Sequence, residues 1–246
     1  MDRAVFDRMA EQEEEHWWFA ARRKILATVI SRLLTLPRNA RILEAGCGTG
    51  GNLGMLSQFG QVRAFELDTV ARRTAEAKSG VAVTEGALPD AVPFTAEQFD
   101  LVALFDVLEH VEDDAGALAA LAARLAPGGR IVMTVPAFPW LWSRHDERHH
   151  HFRRYTRAHL AQVTAAAGLR MEHGFYFNTA LFPVAVLARA IKALLGVNRA
   201  DDTLPARPVN AVLRTVFGAE RHLVGRMAMP VGLSLCAVLV AEKDAT

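Results

Sequence analysis

An α/β fold on a mostly parallel sheet, covered by helices on both faces, is what this sequence predicts, and three observations predict it. Between Arg41 and Pro136, short apolar runs alternate with helical stretches across brief turns. The runs are continuously apolar rather than alternating, as strands buried on both faces require. The first run ends in a glycine turn, EAGCGTGG from Glu44 to Gly51, which opens into a helix.

The elements follow in order. Residues 2 to 35 read as one or two helices, stopped by Pro37 and Asn39. RILEAG (Arg41 to Gly46) is the first strand, and Asn52 to Gln58 begins a helix. QVRAFELD (Gln61 to Asp68) is the second strand and ARRTAEAK the helix after it. VAVTEG (Val81 to Gly86) and FDLVALFD (Phe99 to Asp106) are strands three and four. An alanine-rich helix spans Asp114 to Leu125; Pro127, Gly128 and Gly129 then turn the chain into a fifth strand, RIVMTVP. A polar, His-rich loop runs from Ala137 to Tyr155, and Thr156 is the N-cap of a helix to Ala167. LRMEHGFYF is strand six. Two helical stretches follow, split by a loop from Asp201 to Pro208, and PVGLSLCAVLVAEK closes the chain as strand seven.

The 246 residues suffice for one large α/β domain and are too few for two comfortable ones. Within that single domain, 1–246, residues 1–38 form a helical cap, 39–136 the core, and 137–246 a loop, a helical insertion and the closing strand. A net charge of +1 offers no electrostatic case for nucleic acid. The two cysteines, Cys47 and Cys236, make no disulfide framework, which fits a cytoplasmic protein. MDRAVFDRMAEQEEEHWW has acids where a signal peptide needs an apolar centre. Asn178, Arg189 and Lys192 interrupt the most apolar stretch, Phe175 to Val197, so it reads as an amphipathic helix rather than a membrane span.

Gly46, Gly48 and Gly51 match the G-x-G-x-x-G pattern, whose glycines let the backbone approach a nucleotide. Glu66 lies about 20 residues on, where an acid hydrogen-bonds ribose hydroxyls. Taken alone, these features serve an NAD-dependent oxidoreductase equally well. Glu44 separates the two ligands: a carboxylate before the turn repels a pyrophosphate and suits a ligand bearing an ammonium and a sulfonium.

ILEAGCGTG, FELD, FDLVALFDVLEHV and LAPGGRIVMTVP, in that order, resemble the class I S-adenosylmethionine-dependent methyltransferases. The likeness is to the broad bacterial group that includes the ubiquinone-pathway O-methyltransferases, and it covers Arg41 to Pro136. It implies a Rossmann-like seven-stranded, mostly parallel sheet with an antiparallel last strand. It also implies S-adenosyl-L-methionine as cofactor. Gly46, Cys47 and Gly48 would lie against the methionine part and Glu44 would orient its amino group. Glu66 would hold the ribose, Leu67 would pack on adenine, and Ala87 and Leu88 would meet the adenine edge. Phe105 and Asp106 would face the reacting methyl. Many relatives carry an acid at the Ala87 position; this chain does not, so adenine recognition there falls to backbone and packing.

Three clusters are candidates for the acceptor chemistry. In FDVLEHV, Asp106, Glu109 and His110 resemble an acid, acid, His cluster that accompanies a divalent metal in the ubiquinone-pathway enzymes; a simple turn into the next helix is the preferred reading, and no metal is expected. In WLWSRHDERHHHFRRYT, His145 and His150 are candidate general bases, with Asp106 a third catalytic candidate, while Arg153, Arg154 and Tyr155 are candidates to hold an acidic acceptor. In EEEHWWFAARRK, Trp18 and Arg22 share a helical face, so His16, Trp17 and Trp18 are candidates for a lid and Arg22 for an acceptor contact.

The expectation is methyl transfer to a small or lipid-like acceptor, with oxygen the preferred accepting atom. The alternatives are a cofactor-binding protein without methylation activity and the NAD-dependent oxidoreductase. The basic, apolar helices before the closing strand suit a layer on the core or a dimer interface better than a membrane surface, so the protein is read as a monomer or homodimer.

Overall fold

The computed structural model describes residues 10, 12–195 and 204–242, so the expected helix before Ala10 and the start of the expected loop at Asp201 lie outside the described residues. The elements are α1 (Trp17–Leu33), β1 (Arg41–Ala45), α2 (Leu53–Leu56), β2 (Gln61–Glu66), α3 (Thr69–Ser79), β3 (Val83–Glu85), β4 (Phe99–Phe105), α4 (Asp114–Ala122) and β5 (Leu125–Pro136). There follow α5 (Arg144–Arg148), α6 (Arg157–Ala166), β6 (Leu169–Phe177), α7 (Phe182–Leu195), α8 (Arg207–Ala219) and β7 (Ser234–Ala241).

The strands form a seven-stranded sheet in the order β3-β2-β1-β4-β5-β7-β6. β1 pairs in parallel with both β2 and β4, and β4 with β5. β7 slots between β5 and β6 and runs antiparallel to each, the reversed closing strand that the family resemblance implies. Strand order reverses between β1 and β4, so a crevice opens at their carboxyl ends, where open α/β sheets bind ligands. The glycine turn and Asp106 lie at those ends.

The central strands β1, β4, β5 and β7 feed two cores because their side chains alternate between faces. Leu43, Val102, Leu104, Met133 and Leu235 pack with Leu118, Leu121 and Leu160 of α4 and α6. Ile42, Leu101, Ala103, Val132 and Val238 pack on the other face with Ile25, Leu26 and Val29 of α1 and Phe217 of α8. Burial of about 25 cal/mol per Å² of apolar surface makes this two-sided pattern the main source of stability.

Helix α1 buries Ala21, Arg22, Ile25, Leu26, Val29 and Ile30, a repeating stripe on one face. His16 caps it by accepting from the Trp18 backbone N–H at 3.3 Å. Helix α8 lies against it: Trp17 N donates to Asn210 Oδ1 at 2.8 Å and Asn210 Nδ2 donates to Glu15 O at 2.9 Å. Trp17 also meets Phe217 edge-on at 5.9 Å.

Three expectations need correction. Helix α4 stops at Ala122, and Leu125 already belongs to β5. Pro127, Gly128 and Gly129 fall within that strand, where Gly128 takes φ +74° and the β4–β5 register shifts between Phe99 and Leu101, rather than forming a turn before it. The stretch after β5 is not continuous loop. A 3-10 turn spans Pro139–Leu141, and α5 starts on a capping box in which Ser143 and Asp146 satisfy each other's backbone N–H.

Candidate active site

The glycine turn needs its glycines for two different reasons. Gly46 takes φ +67°, and a Cβ there would sit 2.9 Å from Val107 Cγ2. At Gly51 a Cβ would meet Glu13 Oε2 at 2.6 Å, because the segment before α1 folds over the turn. Glu13 accepts from Thr49 Oγ1 at 2.8 Å and pairs with Lys78, while Arg23 donates to the Glu13 carbonyl at 2.8 Å. Sequence reasoning missed Glu13, which looks like any member of an acidic run.

Glu44 is 1% exposed. Its Oε1 accepts from Asn52 Nδ2 at 2.9 Å, and its Oε2 is buried without a partner. Burial pushes its pKa up to about 8, against the opposing pull of Asn52 and Arg22. The Arg22 guanidinium lies 4.5 Å from the Trp18 ring centroid and pairs with Asp106, which ends β4 at φ +55°. Arg22 is itself buried, its Nε lacks a partner, and burial lowers its pKa to about 10. Arg22 and Asp106, assigned from sequence to acceptor and to cofactor, are thus brought into one charge cluster beside Glu44.

Glu66 bridges β2 and the glycine turn. Its Oε2 accepts from Gly48 N at 2.9 Å, and its Oε1 accepts from Leu67 N at 2.9 Å and Asp68 N at 3.0 Å. Leu67 is 65% exposed, an apolar side chain in solvent beside that acid. Cys47 is buried, and burial raises its thiol above the ordinary range. Ala87 exchanges two backbone hydrogen bonds with Ala91, at 3.1 and 3.0 Å, which shapes the turn bearing Leu88. Phe105 is buried against the α1 face. A cavity of about 540 Å³ lies between Ala20, Arg23, Gly50, Gly51 and Lys78; Gly51 of the glycine pattern lines it, but Glu44, Gly46, Cys47, Gly48 and Glu66 do not.

The His-rich segment is organised by Asp146, which is fully buried. Its Oδ1 meets Arg154 Nε at 2.7 Å and His151 Nδ1 at 2.9 Å, and its Oδ2 accepts from Ser143 N at 2.8 Å. These partners hold its carboxyl well below the usual range in spite of burial. Arg154 also donates to the Ala137 carbonyl at 3.1 Å. Arg153 pairs with Asp114 at 2.7 Å, and the buried Tyr155 hydroxyl donates to the same carboxylate at 3.0 Å. His145 packs ring to ring with His149 at 4.1 Å, and His150 takes φ +56°.

Glu109 follows β4 in a 3-10 turn and is 1% exposed. Its Oε2 is buried without a partner, and burial pushes its pKa up to about 8. Burial drives the neighbouring His110 down to about 3, with the nearby His151 adding to the effect. The possible ligand group is Glu109, His110 and His151, whose ligand atoms lie within 4.8 Å of one another; Asp106, tied to Arg22, is not among them.

The switch point, the glycine turn and the acid ending β2 form a nucleotide site that a dehydrogenase would share. The antiparallel β7 between β5 and β6 gives the sheet of the class I S-adenosylmethionine-dependent methyltransferases, and the family match fixes the class. The chain belongs to the methyltransferase-domain family, which matches residues 18–173. It is 31% identical over 182 residues to a malonyl-acyl-carrier-protein O-methyltransferase of Enterobacter lignolyticus, covering 70% of this chain and 69% of that protein. It is 33% identical over 104 residues to a ubiquinone biosynthesis O-methyltransferase of Xanthomonas axonopodis, covering 40% of this chain and 44% of the relative. The fold matches geranyl diphosphate C-methyltransferase from Streptomyces coelicolor, solved with Mg2+, geranyl diphosphate and S-adenosyl-L-homocysteine, with TM-score 0.57 at 13% identity over 87% of this chain and 76% of that one. Among the described residues, no helix is long and apolar enough to cross a membrane.

Proposed function

We propose that this methyltransferase acts on an oxygen of a small or lipid-like acceptor, and that the buried cluster Glu44, Arg22 and Asp106 receives the amino-acid end of the methyl donor. The observation that carries the cofactor reading is that Glu44 Oε2 and Arg22 Nε are buried together without partners. An unsatisfied buried polar atom costs about 1–3 kcal/mol. A ligand with an ammonium and a carboxylate offsets both costs at once. Glu44 takes the ammonium, and Arg22 shares its guanidinium between Asp106 and the carboxylate. Glu66 offers ribose hydroxyls its remaining lone pairs, and the exposed Leu67 gains a cover from adenine. Gly46, Cys47 and Gly48 line the methionine side, Ala87 and Leu88 the adenine edge, and Phe105 the floor near the methyl.

S-Adenosylmethionine supplies a methyl on a sulfonium, displaced in line by the acceptor, and alignment at near-attack distance is the protein's main contribution. Arg153, Arg154 and Tyr155 act here as positioning residues, since Asp114 and Asp146 engage all three. His145 and His150 are the candidate bases on the loop they position. Oxygen is favoured because both relatives described above are O-methyltransferases. The exposed Trp140, Trp142 and Phe152 around this loop suit an acceptor with an apolar portion.

The test begins with thermal shifts in S-adenosylhomocysteine and in NADH, followed by methyl transfer across a panel of carboxylic and phenolic acceptors. Stabilisation by the thioether and label on oxygen are expected. Stabilisation by NADH alone overturns the cofactor site, and label on carbon or nitrogen overturns the acceptor reading. His145→Ala and His150→Ala should keep donor affinity; a loss of turnover in one identifies the base, and full turnover in both removes the two candidates.

A further inference from the structure

We infer that Glu109, His110 and His151 form a site for one divalent transition-metal ion, with Asp146 as the outer carboxylate that orients His151. Two remote segments build it, the turn after β4 and the loop before α6. Each of the three residues brings one ligand atom, and these atoms lie within 4.8 Å of one another. The His110 and His151 rings meet edge-on with centroids 4.6 Å apart.

Independent observations point to a ligand rather than to chance proximity. Glu109 is buried, yet its Oε2 has no partner, so a desolvated carboxylate oxygen is left for a cation. Both rings are already oriented from outside the cluster. His151 Nδ1 faces Asp146 Oδ1 at 2.9 Å, which leaves Nε2 for an ion. The His110 ring is hydrogen-bonded to the His149 backbone. Asp146 is held in turn by Arg154 and Ser143. Outer partners of this kind fix the tautomer and direction of metal-binding imidazoles. The two segments are also pinned beside the ligands, since Phe152 N donates to the Glu109 carbonyl at 2.7 Å.

The donor set of one carboxylate oxygen and two imidazole nitrogens selects zinc, manganese, iron, cobalt or nickel over calcium and magnesium, which prefer oxygen alone. Three protein ligands leave coordination positions open for water or an oxygen of an acceptor. The ligand set differs from the one the FDVLEHV run suggests, because Arg22 neutralises Asp106. None of the three ligands is a proposed donor contact, and His110 and His151 do not act on Arg22, so loss of metal in His151→Ala with S-adenosylhomocysteine affinity retained tells a failure of this site from a failure of the donor site.

The experiment titrates Co2+ and Zn2+ into metal-stripped full-length protein, followed by calorimetry and by the visible absorption of cobalt. One equivalent with a cobalt d–d spectrum is expected. His151→Ala and Glu109→Gln should abolish it, while Asp146→Asn should weaken affinity by about 10–100-fold. A single cooperative thermal melt and retained S-adenosylhomocysteine affinity show that each variant folds; if Glu109→Gln does not fold, His110→Ala replaces it. Absence of stoichiometric binding overturns the proposal. So does binding that survives His151→Ala, or that depends instead on His145 or His149.

Discussion

Glu44 shows how one buried side chain couples proton, ligand and stability. Burial raises its pKa to about 8, and Asn52, Arg22, Glu13 and Glu66 are the neighbours that modulate it. A folded carboxyl that holds its proton where the unfolded chain releases it loses stability as pH rises through that window. The ligand-free protein should therefore melt at lower temperature as pH rises from the ordinary histidine range toward about 8; at lower pH the buried, neutral His110 and His151 oppose the trend, because the unfolded chain protonates them. Glu109 is raised in the same direction, and burial raises Glu220 too, so Glu44→Gln with Glu109→Gln should shallow the trend rather than abolish it. Donor binding has the opposite slope. An ammonium ligand demands the ionised carboxylate and expels the proton, so affinity for S-adenosylhomocysteine should tighten as pH rises toward about 8, then level. Calorimetry on Glu44→Gln checks this: weaker binding with no such slope is expected, and an unaltered slope removes the assignment. Glu66→Ala should weaken the same affinity by about 1–3 kcal/mol, the cost of losing a charged hydrogen-bond partner. Equal affinity in that variant would falsify the ribose role. Glu44 and Glu66 were legible in sequence because each sits at a fixed offset from the glycine turn. Glu13 was not, since nothing in a run of glutamates marks the one that folds back onto Thr49.

At the scale of elements, the segment from Ser143 to Tyr155 is a carboxylate-centred clasp. Asp146 gathers Ser143, His151 and Arg154, and Asp114 gathers Arg153 and Tyr155. Such networks specify a geometry when every member is satisfied. Tyr155→Phe removes the hydroxyl from a fully buried ring and should destabilise the fold by about 1–3 kcal/mol, read by chemical denaturation. Methyl transfer per folded molecule should be nearly unchanged, because the hydroxyl faces Asp114. A large loss of turnover at full stability would instead return Tyr155 to the acceptor. The density of His and Arg announced this segment in the sequence. Its short helix was signalled only by the capping pair Ser143 and Asp146, easily lost among polar residues. Which carboxylate each arginine takes depends on distances across the fold, and local spacing carries none of that information.

Across the whole molecule, the cap helix, the sheet edge and the last helices act on one another. Asn210 of α8 ties down both Trp17 N and the Glu15 carbonyl at the entry to α1, and Arg22 on α1 reaches Asp106. Asn210→Ala should lower the melting temperature by about 2–4 °C, roughly 1 kcal/mol for a protein of this size. It should also weaken S-adenosylhomocysteine binding, because Arg22 loses a fixed platform; a lower melting temperature with unchanged affinity would separate the cap from the donor site. In the linear sequence, apolar runs alternating with helical stretches and a glycine turn determined the parallel, helix-covered sheet and a nucleotide-type site, features that follow from local periodicity and from backbone geometry that neighbouring residues set. The reversed last strand and the class of cofactor came from the resemblance of four motifs, in order, to a known family. Tertiary structure alone decided the pairing of Arg22 with Asp106, the clasp around Asp146 and the meeting of His151 with Glu109 and His110. Each joins segments far apart in the chain, and the low-dielectric interior that gives such contacts their strength exists only once the fold has closed around them.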